Sequence, residues 1–113
     1  MESILQVHPD INGVFCGNDA MAMGVYQALV SAGKADQVMV FGFDGADDVI
    51  NSIQQKKILA TGMQFPKLMA KTAANYAQQY FNGKRDFAQK VPVTVEMVNQ
   101  ENVNEYSAYG SDE

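Results

Sequence analysis

The sequence predicts an α/β fold organised on a parallel sheet, a three-layer arrangement with helices on both faces. Two observations carry this expectation. Val38 to Gly45 (VMVFGFDG) is an apolar run without alternating polar positions, the habit of a strand buried on both faces and hence of a central parallel strand. Three such runs, beginning at Ile11, Val38 and Ile58, are each separated by one segment of helical period, the βαβαβ cadence that right-handed crossovers require. With 113 residues, 47% of them hydrophobic, the chain is long enough to bury a core.

Taken in order, Met1, Ile4 and Leu5 have the spacing of a short amphipathic helix, which His8-Pro9-Asp10 stops. Ile11 to Cys16 (INGVFC) reads as the first strand and runs into Gly17-Asn18-Asp19, where Asp19 suits an N-cap. Ala22, Val25, Tyr26 and Leu29 mark a helix over 20–32, closed by Gly33. Val38 to Phe43 is the second strand. A helix follows from about Asp47, burying Val49, Ile50 and Ile53, and ends at Lys56 or Lys57. Ile58 to Met63 (ILATGM) is the third strand. Pro66, a favoured first helical residue, opens a longer helix with a broad apolar stripe from Leu68 to Phe81, and Gly83 closes it. Val91 to Val98 (VPVTVEMV) alternates with period two, as an edge or crossing strand does, and Pro92 restricts it to an edge. Beyond Asn99 the chain is polar, with Val103 and Tyr106 as anchors for one helical turn.

The net charge of −5 and the scattered lysines exclude a nucleic-acid footprint, which needs cations gathered on one face. Lys56-Lys57 and Lys84-Arg85 fall near helix C-termini, where cations complement the dipole. One cysteine, Cys16, permits no internal disulfide and reads as a small apolar strand residue. No segment approaches the roughly 20 apolar residues of a membrane span, and the N-terminus lacks the basic and apolar regions of a signal peptide. His8 has no second ligand spaced with it, and the seven methionines suit core gaps.

Candidate ligand residues stand at the three strand ends: Asn18 after the first, Asp44 after the second and Gln64 after the third. In a parallel sheet these ends lie side by side on the carboxyl edge, where ligands bind. Amides donate and accept, and a carboxylate accepts two hydroxyl protons, so the set suits a neutral polyhydroxyl ligand such as a sugar. It suits phosphate poorly, because Asp44 would repel it and no Gly-rich phosphate loop follows any strand. Each residue also has a plain structural reading: Asn18 as a turn residue, Asp44 as a helix cap, Gln64 as extended backbone before Pro66. Asp19, Asp47 and Asp48 read as caps and dipole partners. No nucleophile elbow, Cys/His pair, metal spacing or dinucleotide fingerprint is present, so neither enzymatic activity nor a cofactor is expected. A phospho-accepting role for Asp44 lacks the acidic and lysine partners that receiver domains place on neighbouring strands.

HPDINGVFCGNDAMAMGVYQAL, VMVFGFDG, KKILATGMQFP and VPVTVEMVNQENVNEY, in this order and spacing, resemble the C-terminal part of periplasmic sugar-binding proteins of the ribose-binding type. The resemblance covers essentially the whole chain, and its specificity lies in the coupling of GND, GFDG and ATGMQFP. It implies an incomplete C-terminal half of a type I periplasmic-binding-protein fold. In that family two α/β domains, joined by three crossing segments, close over a monosaccharide and deliver it to an ABC importer permease. Residues 1–65 would be the second half of the C-terminal sugar-binding domain, 66–90 a helix that packs in the N-terminal domain, and 91–113 the crossing strand and tail. Asn18, Asp44 and Gln64 would be the ligands of a ribose- or galactose-like sugar.

The same resemblance implies a periplasmic location for full-length members, whereas a chain without a signal peptide is expected in the cytoplasm if expressed as given. The effector domain of a lactose-repressor-like regulator shares the GND and GFD elements and is the alternative. ATGMQFP and PVTVEMVNQENV favour the transport protein. A third expectation is a non-binding fragment that self-associates, because an unpaired parallel strand and an uncovered apolar face favour a homo-oligomer.

Overall fold

A computed structural model describes residues 1–110. The elements are α1 (Glu2–Val7), β1 (Gly13–Phe15), α2 (Asp19–Ser31), β2 (Met39–Asp44), α3 (Asp47–Gln54), β3 (Ala60–Met63), α4 (Pro66–Phe81) and β4 (Glu96–Asn99), followed by 3-10 turns at Val103–Glu105 and Ala108–Gly110. The sheet order is β1-β2-β3-β4. β1, β2 and β3 run parallel, and β4 returns antiparallel to β3, with Thr61 opposite Val98 and Met63 opposite Glu96.

Both parallel crossovers step the same way across the sheet, so right-handed connections bring α2 and α3 to one face. The core lies under them. Leu29 of α2, Val49 and Ile53 of α3, Val40, Met63 and Val98 of the sheet and Val103 of the tail are all essentially inaccessible to solvent. Leu5 brings α1 into the same cluster. On the other face, Phe15, Met39 and Met97 remain more than half exposed among the described residues.

Helix termini follow local chemistry. Gly33 takes a φ of 68° after the α2 C-cap, and Pro66 opens α4 at its first turn. The basic pairs lie just beyond the caps rather than in the last turns: Lys56-Lys57 follows the C-cap Gln55, and Lys84-Arg85 follows Asn82. Arg85 still serves the helix end, because its guanidinium donates to the Tyr80 carbonyl at 2.6 Å and lies over the Tyr80 ring.

The main departure from sequence expectation is the last strand, which occupies Glu96–Asn99 instead of beginning at Val91. Val91 and Val93 instead line a shallow groove with Met69, Thr72, Ala73 and Tyr76 of α4. Pro92 therefore lies outside the sheet. α4 itself buries no residue, and the radius of gyration is 18.0 Å, against about 13 Å for a compact domain of this size. α4 is an arm whose apolar stripe, including Leu68 and Phe81, faces solvent.

Candidate functional site

The carboxyl ends of β1, β2 and β3 are drawn together by a residue that local pattern assigned to capping. Asp19 is the first helical residue of α2, not its cap, and is 1% exposed. Its Oδ2 accepts hydrogen bonds from the backbone N–H of Gly45 at 2.8 Å and of Ala46 at 2.7 Å, in the turn after β2. Its Oδ1 accepts from the Thr61 hydroxyl of β3 at 2.7 Å. A buried carboxylate is tolerated because these donors replace its lost hydration. The N-cap role falls to Asn18, whose Oδ1 accepts from the Met21 N–H at 2.8 Å.

Asp44 and Gln64 meet directly. The Gln64 side-chain amide donates to Asp44 Oδ1 at 2.7 Å, and the Gln64 backbone N–H donates to the Asp44 carbonyl at 3.0 Å. Asp44 holds a φ of 133°, a region non-glycine residues rarely occupy, which makes its conformation one the surroundings must enforce. Gly45 follows at φ 87°, and a Cβ there would strike the Met63 side chain at 2.8 Å. From the tail, the Tyr109 N–H donates to the Gly45 carbonyl at 2.8 Å, and Gly110 lies so close to the Phe65 ring that a side chain would not fit. The tail therefore lies across the Asp44-Gly45 turn. Further along it, Tyr106 donates to the Glu96 carboxylate, which pushes the phenol above its ordinary pKa.

All three sequence-predicted residues are half-buried at the carboxyl edge. The structure joins Asp44 to Gln64 by hydrogen bonds and keeps Asn18 separate, engaged through one oxygen in the cap. Among the described residues, Asn18 Nδ2, Asp44 Oδ2 and Gln64 Oε1 are left over, a mixture of donors and acceptors matched to hydroxyl groups. Asp47 and Asp48 occupy the first turn of α3, and their negative charge beside Asp44 disfavours an anionic ligand. Among the described residues no group of three or more metal-ligating side chains is positioned to hold an ion. Cys16 is buried and its thiol is pushed up by desolvation, in keeping with a packing residue.

Sequence reading missed the roles of Asp19, Thr61 and Tyr109. Thr61 carried the one available signal: a polar side chain inside a strand buried on both sides must find a partner. Its partner is 42 residues away in sequence, which is why spacing alone could not supply it.

The periplasmic binding protein domain family matches residues 1–85. The chain is 45% identical over 85 residues to the ribose import binding protein of Bacillus subtilis (strain 168), and covers 27% of that protein with 75% of its own length. To the D-apiose import binding protein of Paraburkholderia graminis it is 49% identical over 80 residues, 71% of this chain and 25% of the relative. Among solved structures, an ABC transporter periplasmic solute binding protein from Actinobacillus succinogenes 130z with bound D-allose superimposes with a TM-score of 0.85 at 34% identity, covering 93% of this chain and 37% of that one. A Caulobacter myo-inositol binding protein bound to myo-inositol aligns at 28% identity with a TM-score of 0.81, over 96% of this chain and 38% of its own. The chain thus spans between about a quarter and two-fifths of these proteins.

Proposed function

The chain belongs to the periplasmic binding protein family, and from that premise we propose that it contributes Asn18, Asp44 and Gln64 to a monosaccharide site in the solute-binding component of an ABC sugar importer. The observation that carries this reading is the Asp44–Gln64 pair at the carboxyl edge, with Asp44 at a φ of 133° and its second oxygen left over among the described residues. A hydroxyl-rich neutral ligand uses such a set fully. The import names of the relatives support transport over a regulator's effector domain.

In this reading residues 1–65 are the second half of a C-terminal sugar-binding domain, 66–90 carry a helix that packs in the opposite domain, and 91–113 form a crossing strand and tail. The exposed stripe of α4 and the short share of each relative covered support that division. The partner of the complete protein is the importer's permease. Taken alone, the chain supplies one side of a cleft, and affinity on the order of millimolar is expected because the other face of the sugar stays in water. Calorimetry against ribose, apiose, allose and galactose tests it. Weak binding that Asp44→Ala removes is the supporting result; a submicromolar site would contradict the one-sided cleft, and binding untouched by Asp44→Ala would remove Asp44 from the site.

A second reading, self-association, is favoured by the exposed Phe15, Met39 and Met97 on one sheet face and by β1 standing at the sheet edge.

A further inference from the structure

The ligand set proposed above depends on Asp44 holding a backbone conformation that an aspartate rarely adopts. The backbone N–H groups of the next two residues, Gly45 and Ala46, both point at one oxygen of Asp19, at 2.8 and 2.7 Å. Asp19 in turn is fixed by the Thr61 hydroxyl on its other oxygen, at 2.7 Å, and by burial at 1% exposure. Its place is kept open by Gly42, where a Cβ would lie 2.2 Å from Oδ1. The turn carrying Asp44 is therefore anchored from below, at the N-terminus of a different helix. Across the sheet, Thr61 stands three residues before Gln64, whose side-chain amide meets Asp44 Oδ1 at 2.7 Å.

We infer that Asp19 is a positioning residue of the site: through the Gly45 and Ala46 amides and the Thr61 hydroxyl it sets the β2–α3 turn against β3, so that Asp44 meets Gln64 with its second oxygen toward the ligand. It touches no ligand itself. This role presupposes that Asp44 and Gln64 are the hydroxyl ligands, and its first test needs no ligand.

Asparagine and alanine at position 19 separate geometry from charge. In Asp19→Asn the side-chain oxygen still accepts from both backbone amides, while the new NH₂ donates to the Thr61 oxygen, so all three contacts persist. Asp19→Ala removes them. In the ligand-free 113-residue chain, at a temperature where each variant is folded, the Gln64 side-chain amide resonances report the bond to Asp44. The Gln100 side-chain amide, which donates to the Ile53 carbonyl at 2.6 Å, serves as the control. The expected result is a Gln64 amide shifted to the position of a free side-chain amide in Asp19→Ala, unchanged in Asp19→Asn, with the Gln100 amide unmoved in both. A general loss of stability would not move one side-chain amide and spare another. Where the wild type binds a monosaccharide by calorimetry, Asp19→Ala should lose about tenfold or more in affinity and Asp19→Asn little, as expected when supporting contacts let a site drift by a fraction of an ångström.

An unchanged Gln64 amide in Asp19→Ala overturns the inference, as does an Asp19→Asn variant that behaves like alanine. If Asp19→Ala does not fold, Asp19→Ser, which leaves room for a water beneath the turn, is read in its place. Failure of both to fold while Asp19→Asn folds would make Asp19 a folding residue and also overturn the assignment. A shifted amide in a chain that binds no sugar leaves Asp19 as the organiser of the turn and removes the sugar-binding reading instead.

Discussion

Gly42→Ala puts the packing of the site under the sharpest load. The added methyl would lie 2.2 Å from Oδ1 of Asp19, 3.3 Å from its Cγ and 3.4 Å from the Ala22 Cβ. The carboxylate has nowhere to retreat, since it is buried and holds Gly45, Ala46 and Thr61 together. Overpacking a well-filled site costs about 1–3 kcal/mol, and displacing the carboxylate from one of its donors about 1.5–3 kcal/mol more. The combined loss is about 2.5–6 kcal/mol, a large fraction of the stability of a domain this size. With a urea dependence of about 1.5 kcal/mol per molar, the unfolding midpoint followed by circular dichroism should fall by about 2 M or more. Gly24→Ala is the control: it lies inside α2 where, among the described residues, nothing beyond the helix's own backbone comes within 4 Å of the added methyl, and it should stabilise by about 0.5–1 kcal/mol. In an Asp19→Ala background the clash disappears, so Gly42→Ala should cost at least about 1 kcal/mol less there. A Gly42→Ala variant within about 0.5 kcal/mol of wild type, or one equally costly in both backgrounds, would mean that the Asp19 carboxylate does not occupy the space the methyl needs.

Other substitutions and conditions have equally definite outcomes. Asn18→Ala removes the α2 cap and should cost about 0.5–2 kcal/mol in urea unfolding; a full loss of monosaccharide affinity with no stability change would mean that its ligand role outweighs its cap. Cys16 should resist a thiol-specific disulfide reagent in the folded chain at pH 8 and react at once in guanidinium, and rapid labelling of the native chain would contradict its burial. Because burial raises its pKa, the folded state holds the thiol proton more tightly than the unfolded one. Its contribution to stability is therefore complete below the unfolded value of about 8.5 and declines as pH rises toward the higher folded value. Light scattering at low micromolar concentration should show a dimer or larger species, through the exposed sheet face or the β1 edge; a clean monomer would remove the self-association reading.

Much of the fold is readable along the chain because its signals are local. The apolar period gives α2 and α3, Gly33 and Pro66 mark helix ends, and the unbroken run through Val40 gives the central strand β2. What could not be read locally are the features set by distant partners. An aspartate at a helix start resembles a cap until it is known that Gly45 and Ala46, 26 and 27 residues on, supply its donors. Val91 to Val95 has the period of a strand, yet Val91 and Val93 line a groove against α4 and pairing starts only at Glu96. The three strand ends were legible as neighbours, because parallel register places them so. The Asp44–Gln64 bond and the left-handed backbone at Asp44 depend on the turn geometry that Asp19 and the tail impose.

On the proposed reading, the carboxyl edge of this sheet binds sugar hydroxyls through Asp44. Titration calorimetry of the wild-type chain and Asp44→Ala with the same monosaccharide tests it most directly. Loss of Asp44 leaves hydroxyls without acceptors at about 1–3 kcal/mol each, so wild-type binding on the order of millimolar should become undetectable in the variant. Equal heats from both chains, at equal folded fraction by circular dichroism, would contradict it.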